Sequence, residues 1–244
     1  MIYQNVLSAI QDGRKLLAIL LDPDKMNHDM IADLMPKINE SMVDFIFVGG
    51  STVVEHATQE LVIKLRHNTS IPIVLFPGHF NQITAQADAI LFLSLISGRN
   101  PEYLINQQVK AVPLLQNTEL EIIPTGYILI DGGKKTAVEQ VSRTTPIAAH
   151  NIEEITQTAV AGMYMGNKMI YLEAGSGALQ PILPEVIKSV RKSVTIPLIV
   201  GGGIRTEKEL MEAYENGADL VVIGTAFEEN NNLLTKFIKN EHIH

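Results

Sequence analysis

The stretch Ile196–Ile204, IPLIVGGGI, and its counterpart Leu220–Ala226, LVVIGTA, decide the fold predicted for this chain. Each is a short apolar run, rich in β-branched residues, that ends at glycine. A run of this kind, bounded by turn signals, is typical of a fully buried strand. Glycine lets the backbone approach a ligand closely and point its N–H groups outward. Two such consecutive strands near the end of a 244-residue chain predict the phosphate site that follows strands 7 and 8 of a (β/α)8 barrel.

The rest of the chain supplies six more strands that alternate with helices. The predicted strands are Leu16–Leu21, Asp44–Val48, Ile71–Phe76, Ala89–Leu95, Gly126–Ile130, Met169–Leu172, Pro197–Val200 and Leu220–Ile223, and a helix at Asn230–Lys239 is predicted to close the ring. This alternation predicts an α/β protein, a single-domain (β/α)8 TIM barrel over residues 1–244. A doubly wound open sheet is the competing architecture.

Two connections depart from the regular pattern. The gap Pro77–Asp88 is close to the ~10–12 residues that a complete crossover needs, so the third helix is predicted to be missing or vestigial. The segment Lys134–His150 is polar and without a clear period, which predicts an irregular insertion over the barrel mouth.

Composition excludes several classes of function. The net charge is -8 and no basic stripe is present, which argues against a nucleic-acid partner. The absence of cysteine excludes disulfides, thiolate metal sites and a thiol nucleophile. No apolar run reaches the ~20 residues that span a bilayer, and the N-terminus lacks the pattern of a secretion signal. We therefore expect a cytoplasmic protein.

Glycine-rich loops at three strand ends predict a phosphate-binding site. They are Glu173-Ala174-Gly175-Ser176-Gly177, Gly201–Gly203 and Gly224-Thr225. A phosphate needs several converging N–H donors, and glycine removes the Cβ that would block its approach. The alternative interpretation is that these glycines only make tight turns.

Acidic and hydroxyl side chains at other strand ends are the candidates for chemistry. Asp22, together with Ser51, suits a hard cation such as magnesium, whereas a helix cap is the alternative role for Ser51. We expect Asp24 to cap the following helix. Glu173 could accept a proton from a substrate hydroxyl or anchor it, the alternative being a structural hydrogen-bond acceptor. His79 is the one histidine at a strand end, which argues against a zinc- or iron-dependent epimerase.

Seven motifs, taken together, resemble one known family. They are LLDPDK, FVGGST, VLFPG, YILIDGG, YLEAGSGA, VGGGIRT and VVIGTAFE, and they cover the chain from Leu16 to Glu228. In this order and at these spacings they are similar to geranylgeranylglyceryl phosphate synthases and the related heptaprenylglyceryl phosphate synthases. One branch of that family has lysine two residues before the metal aspartate. Leu20 stands there in this chain, which places it in the other branch.

The resemblance implies a modified (β/α)8 barrel without a regular third helix. It also implies an enzyme that joins the C3 hydroxyl of sn-glycerol 1-phosphate to geranylgeranyl diphosphate, or a similar long isoprenyl diphosphate, and releases diphosphate. By the same resemblance, Asp22 and Ser51 hold Mg²⁺, and Glu173 orients or deprotonates the attacking hydroxyl. The implied glycerol phosphate site comprises Tyr171, Leu172, Glu173, Ala174, Gly175, Ser176, Gly177, Gly202, Gly203, Gly224 and Thr225.

The apolar tail of such a substrate requires a groove. Its candidate walls are residues 91–96 and the helix that carries Tyr103, with plain barrel core as the alternative. Two other functions stay open. One is a sugar-phosphate isomerase that uses Asp22 and Asp131 as an acid–base pair, and the other is a non-catalytic phosphate-binding module. The sequence leaves the oligomeric state open and allows at most a peripheral membrane contact.

Overall fold

A computed structural model describes residues 1–224, and eight parallel strands in this part of the chain close into a barrel. The strands follow each other in sequence order, and the first pairs with the last from Leu16↔Leu220 to Ile19↔Ile223. The strands are β1 Leu16–Leu21, β2 Phe45–Val48, β3 Ile73–Leu75, β4 Ala89–Leu95, β5 Glu121–Leu129, β6 Met169–Glu173, β7 Leu198–Gly201 and β8 Leu220–Ile223. The closure confirms the predicted TIM barrel and excludes the open sheet.

Helices surround the barrel. They are α1 Ile2–Gln11, α2 His28–Glu40, α3 Ala57–Arg66, α4 Gln107–Leu115, α5 Ala137–Ser142, α6 Ile152–Tyr164, α7 Pro184–Ser193 and α8 Glu207–Glu215. A π-helical turn, Glu102–Asn106, leads into α4. Within residues 1–224, no helix combines the length and the apolar character needed to cross a membrane. The predicted helix Asn230–Lys239 lies outside the described residues.

Strand periodicity creates two apolar layers. Successive side chains of a strand point to opposite faces, so in β6 Met169 and Tyr171 point into the barrel, whereas Ile170 and Leu172 pack against the outer helices. The N-terminal helix α1 adds Ile2 to the inner layer and so covers the amino ends of the strands. The carboxyl ends are left open for a site.

The third helix of a regular (β/α)8 barrel would follow β3, and its predicted loss is confirmed. A single 3₁₀ turn, Phe80–Gln82, is the only helical structure between β3 and β4. The two strands pair only at Val74↔Ala89 and Leu75↔Ile90, whereas β4 pairs with β5 from Ala89 to Leu95. The upper half of β4 therefore has no pairing partner on its β3 side, which leaves a seam in the barrel wall.

Several elements differ from their predicted bounds, and three of the departures change the local structure. β5 begins at Glu121 rather than Gly126, because its ladder extends along the whole of β4. The spacing of apolar residues predicts a helix over Val53–His67, but α3 begins at Ala57, since residues 51–56 form a loop in which His56 adopts φ 67°. The insertion 134–150 is not entirely irregular, because it contains α5.

Candidate active site

Two carboxylates reach the open end of the barrel because of strand periodicity. Glu173 ends β6 two residues after the inward-pointing Tyr171, so its side chain also points inward. Asp22 directly follows β1. It lies two residues after Leu20 and four after Ala18, so its side chain is on the same inward face of the strand as theirs. Both acids line one cavity of about 600 Å³ that occupies the mouth of the barrel. They come from strands separated by β8 and β7, which places them on different sides of the opening.

Glu173 is a buried acid whose protonation is balanced near neutrality. Only 6% of the residue is exposed, and burial raises its pKa to about 7. The amide of Gly175 donates a hydrogen bond of 2.7 Å to Oε1 and partly opposes this effect. The nearby Tyr171 hydroxyl also lowers the pKa, although it makes no hydrogen bond of ordinary geometry. Such a group can take a proton at neutral pH.

The glycine run that begins at the last residue of β7 makes room for this carboxylate. A Cβ on Gly201 would lie 2.4 Å from Tyr171 Oη and 3.0 Å from Glu173 Oε2. A Cβ on Gly202 would lie 2.4 Å from Glu173 Oε1, and the φ of Gly202 is 82°. Side chains at these two positions would therefore displace the acid.

Aromatic rings pack beneath the carboxylate. Tyr171 contacts Phe76 and Tyr127, with ring centroids 5.2 and 5.4 Å apart. Burial raises the pKa of both tyrosine hydroxyls well above their ordinary value, and Glu173 raises it further. Sequence reasoning missed Phe76 and Tyr127 as lining residues. The inward register of Tyr127 opposite Tyr171 is the signal that could have found one of them.

The predicted phosphate loops lie at one end of the cavity. Its walls there include Gly175, Ser176, Gly177, Gly202, Gly203 and Gly224. Positive φ angles at four of them, 98° for Gly175, 71° for Gly177, 82° for Gly202 and 75° for Gly203, explain the use of glycine. The amides of these loops are therefore close to any ligand that enters.

Not every predicted residue of this loop faces the cavity. Leu172 is fully buried in the outer apolar layer, and the Ala174 amide donates to the carbonyl of Gly201 in the sheet at 3.0 Å. The Gly175 amide is already bonded to Glu173. The amides of Gly177 and Gly203 donate to no acceptor among residues 1–224. Thr225 lies outside the described residues.

Asp22 is half-buried on another side of the mouth, and burial raises its pKa. It accepts a hydrogen bond of 3.2 Å from the Asp24 amide, and Lys25 Nζ lies 3.8 Å from Oδ2. A Cβ on Gly50 would come within 3.0 Å of Asp22 Oδ1, so the loop after β2 runs directly beside the acid. Ser51, the next residue of that loop, lines the same cavity.

The predicted cap by Asp24 is wrong. Asp24 Oδ1 accepts from the amide of Val54 at 3.0 Å, and it thereby joins the loops after β1 and β2. The N-cap of α2 is Asn27, whose Oδ1 accepts from the Met30 amide at 2.9 Å. Ser51 lies six residues before α3 and does not cap it.

Other strand-end residues have local roles. Ser97 Oγ accepts from the amide of Leu129 at 2.9 Å. Asp131 Oδ1 accepts from the Gly133 amide at 2.9 Å, and Asp131 is exposed and does not line the cavity. His79 lines the cavity and begins the 3₁₀ turn. Among residues 1–224 no group of three or more histidines and acids could hold a metal ion.

The apolar part of the cavity lies along the seam between β3 and β4. Its walls include Phe80, Ile83, Ile90, Phe92, Tyr103 and Ala111. Leu91, Leu93 and Leu95 of the predicted wall also line the cavity, whereas Ile96 is buried in the outer apolar layer. The site thus combines one glycine-rich end that carries Glu173 with a long apolar arm.

Comparison with known proteins identifies the family and gives the same fold. Residues 10–241 match the PcrB family. The chain is 52% identical over 229 residues to a geranylgeranylglyceryl phosphate synthase of Flavobacterium johnsoniae, with 94% of each chain covered. It is 40% identical over 219 residues to that of Thermococcus kodakarensis, covering 89% of this chain and 86% of the relative.

A solved structure of (S)-3-O-geranylgeranylglyceryl phosphate synthase from Thermoplasma acidophilum, in complex with its substrate sn-glycerol-1-phosphate, superposes with a TM-score of 0.90. The two chains are 31% identical, and 98% of each is covered. The corresponding enzyme from Thermoplasma volcanium gives a TM-score of 0.89 at 34% identity, with both chains covered completely. The chain described here belongs to the PcrB family.

Proposed function

We propose that this chain transfers a geranylgeranyl group from its diphosphate to the C3 hydroxyl of sn-glycerol 1-phosphate. One observation carries the proposal: a single cavity joins a buried acid among glycine-rich loops to an apolar arm. The small substrate is polar and phosphorylated, and the other substrate is a long hydrocarbon with a charged head. The naming of curated relatives as geranylgeranylglyceryl phosphate synthases supports the same reaction.

The glycerol phosphate is assigned to the glycine-rich end. The amides of Gly177 and Gly203 are available there, and backbone N–H groups hold phosphate without a side chain. A phosphate fixed at these loops would place the glycerol chain beside Glu173. The complex of the Thermoplasma acidophilum relative with sn-glycerol-1-phosphate supports this choice of ligand.

Glu173 is proposed to accept the proton of the attacking hydroxyl. A bond forms between the C3 oxygen and the first carbon of the prenyl chain, and the bond from that carbon to the diphosphate oxygen breaks. The hydroxyl proton passes to the carboxylate, and diphosphate leaves with the bonding electrons. A pKa of about 7 suits this role, because a substantial fraction of the group is ionised at neutral pH yet binds a proton readily.

A magnesium ion is proposed at Asp22 and Ser51. Both side chains line the cavity away from the glycine-rich end, and the carboxylate and hydroxyl oxygens match the ligands that magnesium prefers. Magnesium commonly takes one or two protein ligands and completes its shell with water and substrate phosphates, so this sparse donor set fits. The bound ion would supply positive charge to the diphosphate leaving group. Lys25, close to Asp22, can bind the same diphosphate.

The prenyl chain is proposed to lie in the apolar arm along the seam. A regular third helix would cover the outer face of β3 and β4, and the 3₁₀ turn leaves that face accessible to the cavity. Aliphatic and aromatic side chains line it, which favours a hydrocarbon ligand. The structure does not favour the isomerase, because Asp131 lies outside the cavity and cannot pair with Asp22 across it.

The test is a transfer assay with the purified chain. Radiolabelled sn-glycerol 1-phosphate, geranylgeranyl diphosphate and magnesium should yield label that partitions into an organic solvent. Prenyl diphosphates of other lengths then establish the preferred chain length. Lack of extractable label with every length, combined with turnover of an aminoaldose phosphate, would refute the proposal in favour of the isomerase. A cytoplasmic location stays a prediction, and a homo-oligomeric state and a peripheral membrane contact stay open.

A further inference from the structure

The side chain of Lys134 lies next to the glycine-rich loop that follows β6. Its Nζ lies 3.8 Å from the position that a Cβ on Gly177 would occupy, and both residues line the cavity. The neighbouring Lys135 carries the same charge but does not line the cavity. The insertion after β5 thus brings one particular ammonium group to the proposed phosphate site.

Two contacts fix the chain on either side of Lys134. On one side, the carbonyl of Gly132 accepts a hydrogen bond of 2.9 Å from the Leu179 amide. On the other side, Thr136 packs so tightly on Gly175 that a Cβ there would lie 2.1 Å from its Cγ2. Because both ends of this short segment are joined to the loop after β6, Lys134 is held as part of the loop rather than of a free lid.

A cation at the glycine-rich end would add to what its backbone amides supply. A phosphate dianion placed beside an ionised Glu173 would bring like charges together. Two amides of the loop are already committed, those of Ala174 to Gly201 and of Gly175 to Glu173 itself. A full positive charge next to the remaining amides would strengthen their hold on the dianion and offset this repulsion.

The other cations that line the cavity are engaged elsewhere. Lys25 lies 3.8 Å from Asp22, on the side assigned to the diphosphate. Arg205 donates from Nη2 to the carbonyl of Ala178 at 2.6 Å, so its guanidinium helps to tie the loops after β6 and β7 together. Lys134 makes no ion pair or hydrogen bond with any of residues 1–224, so its ammonium is available to a ligand entering next to Gly177.

We propose that Lys134 binds the phosphate of glycerol 1-phosphate and offsets the charge of Glu173. This inference rests on the proposed function, since it assigns one residue to one of the two substrates. It also gives the insertion a role in selecting a phosphorylated acceptor, because unphosphorylated glycerol offers no anion to the ammonium group.

The decisive experiment is calorimetric binding of sn-glycerol 1-phosphate to the full chain without any prenyl diphosphate. Lys134→Gln should weaken binding about tenfold, the effect of losing one charge-assisted hydrogen bond at a partly solvated site. Lys135→Gln is the matched control and should bind within about twofold of the unaltered chain, while Lys134→Arg should restore most of the affinity. Each glutamine variant removes one positive charge from an exposed position, so the two variants have the same net charge.

Steady-state kinetics separate the two substrates. Lys134→Gln should raise the KM for glycerol 1-phosphate and leave the KM for geranylgeranyl diphosphate unchanged. Equal binding by the Lys134→Gln and Lys135→Gln variants, or a rise confined to the KM of the prenyl substrate, would overturn this inference alone. Failure of the unaltered chain to bind glycerol 1-phosphate would instead overturn the proposed function along with it.

Discussion

Replacement of Glu173 by glutamine should abolish most of the activity and at the same time stabilise the protein above neutral pH. The carboxylate is 6% exposed, and burial raises its pKa from an ordinary value of 4.5 to about 7. Glutamine keeps the size of the side chain and an oxygen that can accept from the Gly175 amide. It removes the charge and the ability to take a proton, so the rate should fall about 10²–10⁴-fold.

The effect on stability follows from linkage. The folded state binds the Glu173 proton more tightly than the unfolded state, so wild-type stability falls as the pH rises from about 4.5 through 7. Over this pH range the free energy of unfolding of the wild type falls by about 3 kcal/mol in total. At pH 8 the Glu173→Gln variant should therefore be more stable than the wild type by up to this amount. For a domain of this size that is roughly 6–12 °C in Tm, and the difference should shrink towards zero near pH 4.5.

Thermal unfolding of both proteins between pH 4.5 and pH 8, followed by circular dichroism, measures this difference. Glu119→Gln is the matched control, because Glu119 is exposed and does not line the cavity. It should shift neither the rate nor the pH dependence of Tm. If the Tm difference between Glu173→Gln and wild type did not change with pH, the burial argument would be refuted. Full activity in the variant would refute the proposed proton transfer.

Three further variants test the other parts of the site. Asp22→Ala should weaken magnesium-dependent use of geranylgeranyl diphosphate more than glycerol phosphate binding, and equal losses in both assays would contradict the proposed division. Asp29→Ala is the control, because the Asp29 side chain is fully exposed and does not line the cavity. Gly202→Ala should destabilise the fold by roughly 2 kcal/mol in urea unfolding and raise the KM for glycerol 1-phosphate, because its φ is 82° and a Cβ would meet Glu173. Ala111→Phe should shift the ratio of kcat/KM from geranylgeranyl towards geranyl diphosphate, and an unchanged ratio would place the prenyl chain elsewhere.

The barrel and the two acids were predictable because their signals are local. β1, β4 and β8 have the predicted bounds, since each is an apolar run, interrupted only by Ser94 in β4, with a turn residue close after it. The strand period then fixes the side of the sheet on which Asp22 and Glu173 must lie. The short connection after β3 likewise predicted the missing helix, because chain length alone limits what can fit there.

Other features depended on partners that are distant in the sequence. β5 starts five residues earlier than predicted, since the polar Glu121 accepts hydrogen bonds from the amides of Ile2 and Tyr3 and the strand is completed by pairing with β4. Asp24 looks like a helix cap by position, yet its acceptor is used by Val54 of the next loop. Lys134 was hidden in a polar insertion, because only the folded chain brings that segment against Gly177.

The 3₁₀ turn that replaces the third helix serves both halves of the site. Its Gln82 is buried and donates from Nε2 to the carbonyl of Gly50 at 2.9 Å, while its Oε1 accepts from the Gly78 amide at 3.1 Å. Gly78 has no room for a Cβ, which would lie 2.4 Å from that same carbonyl. The turn therefore holds the loop that carries Ser51 while leaving the seam beside β4 open. A regular helix at this place would cover the apolar arm, and a flexible connection would leave the Ser51 loop unsupported, so a short turn is the arrangement that meets both requirements.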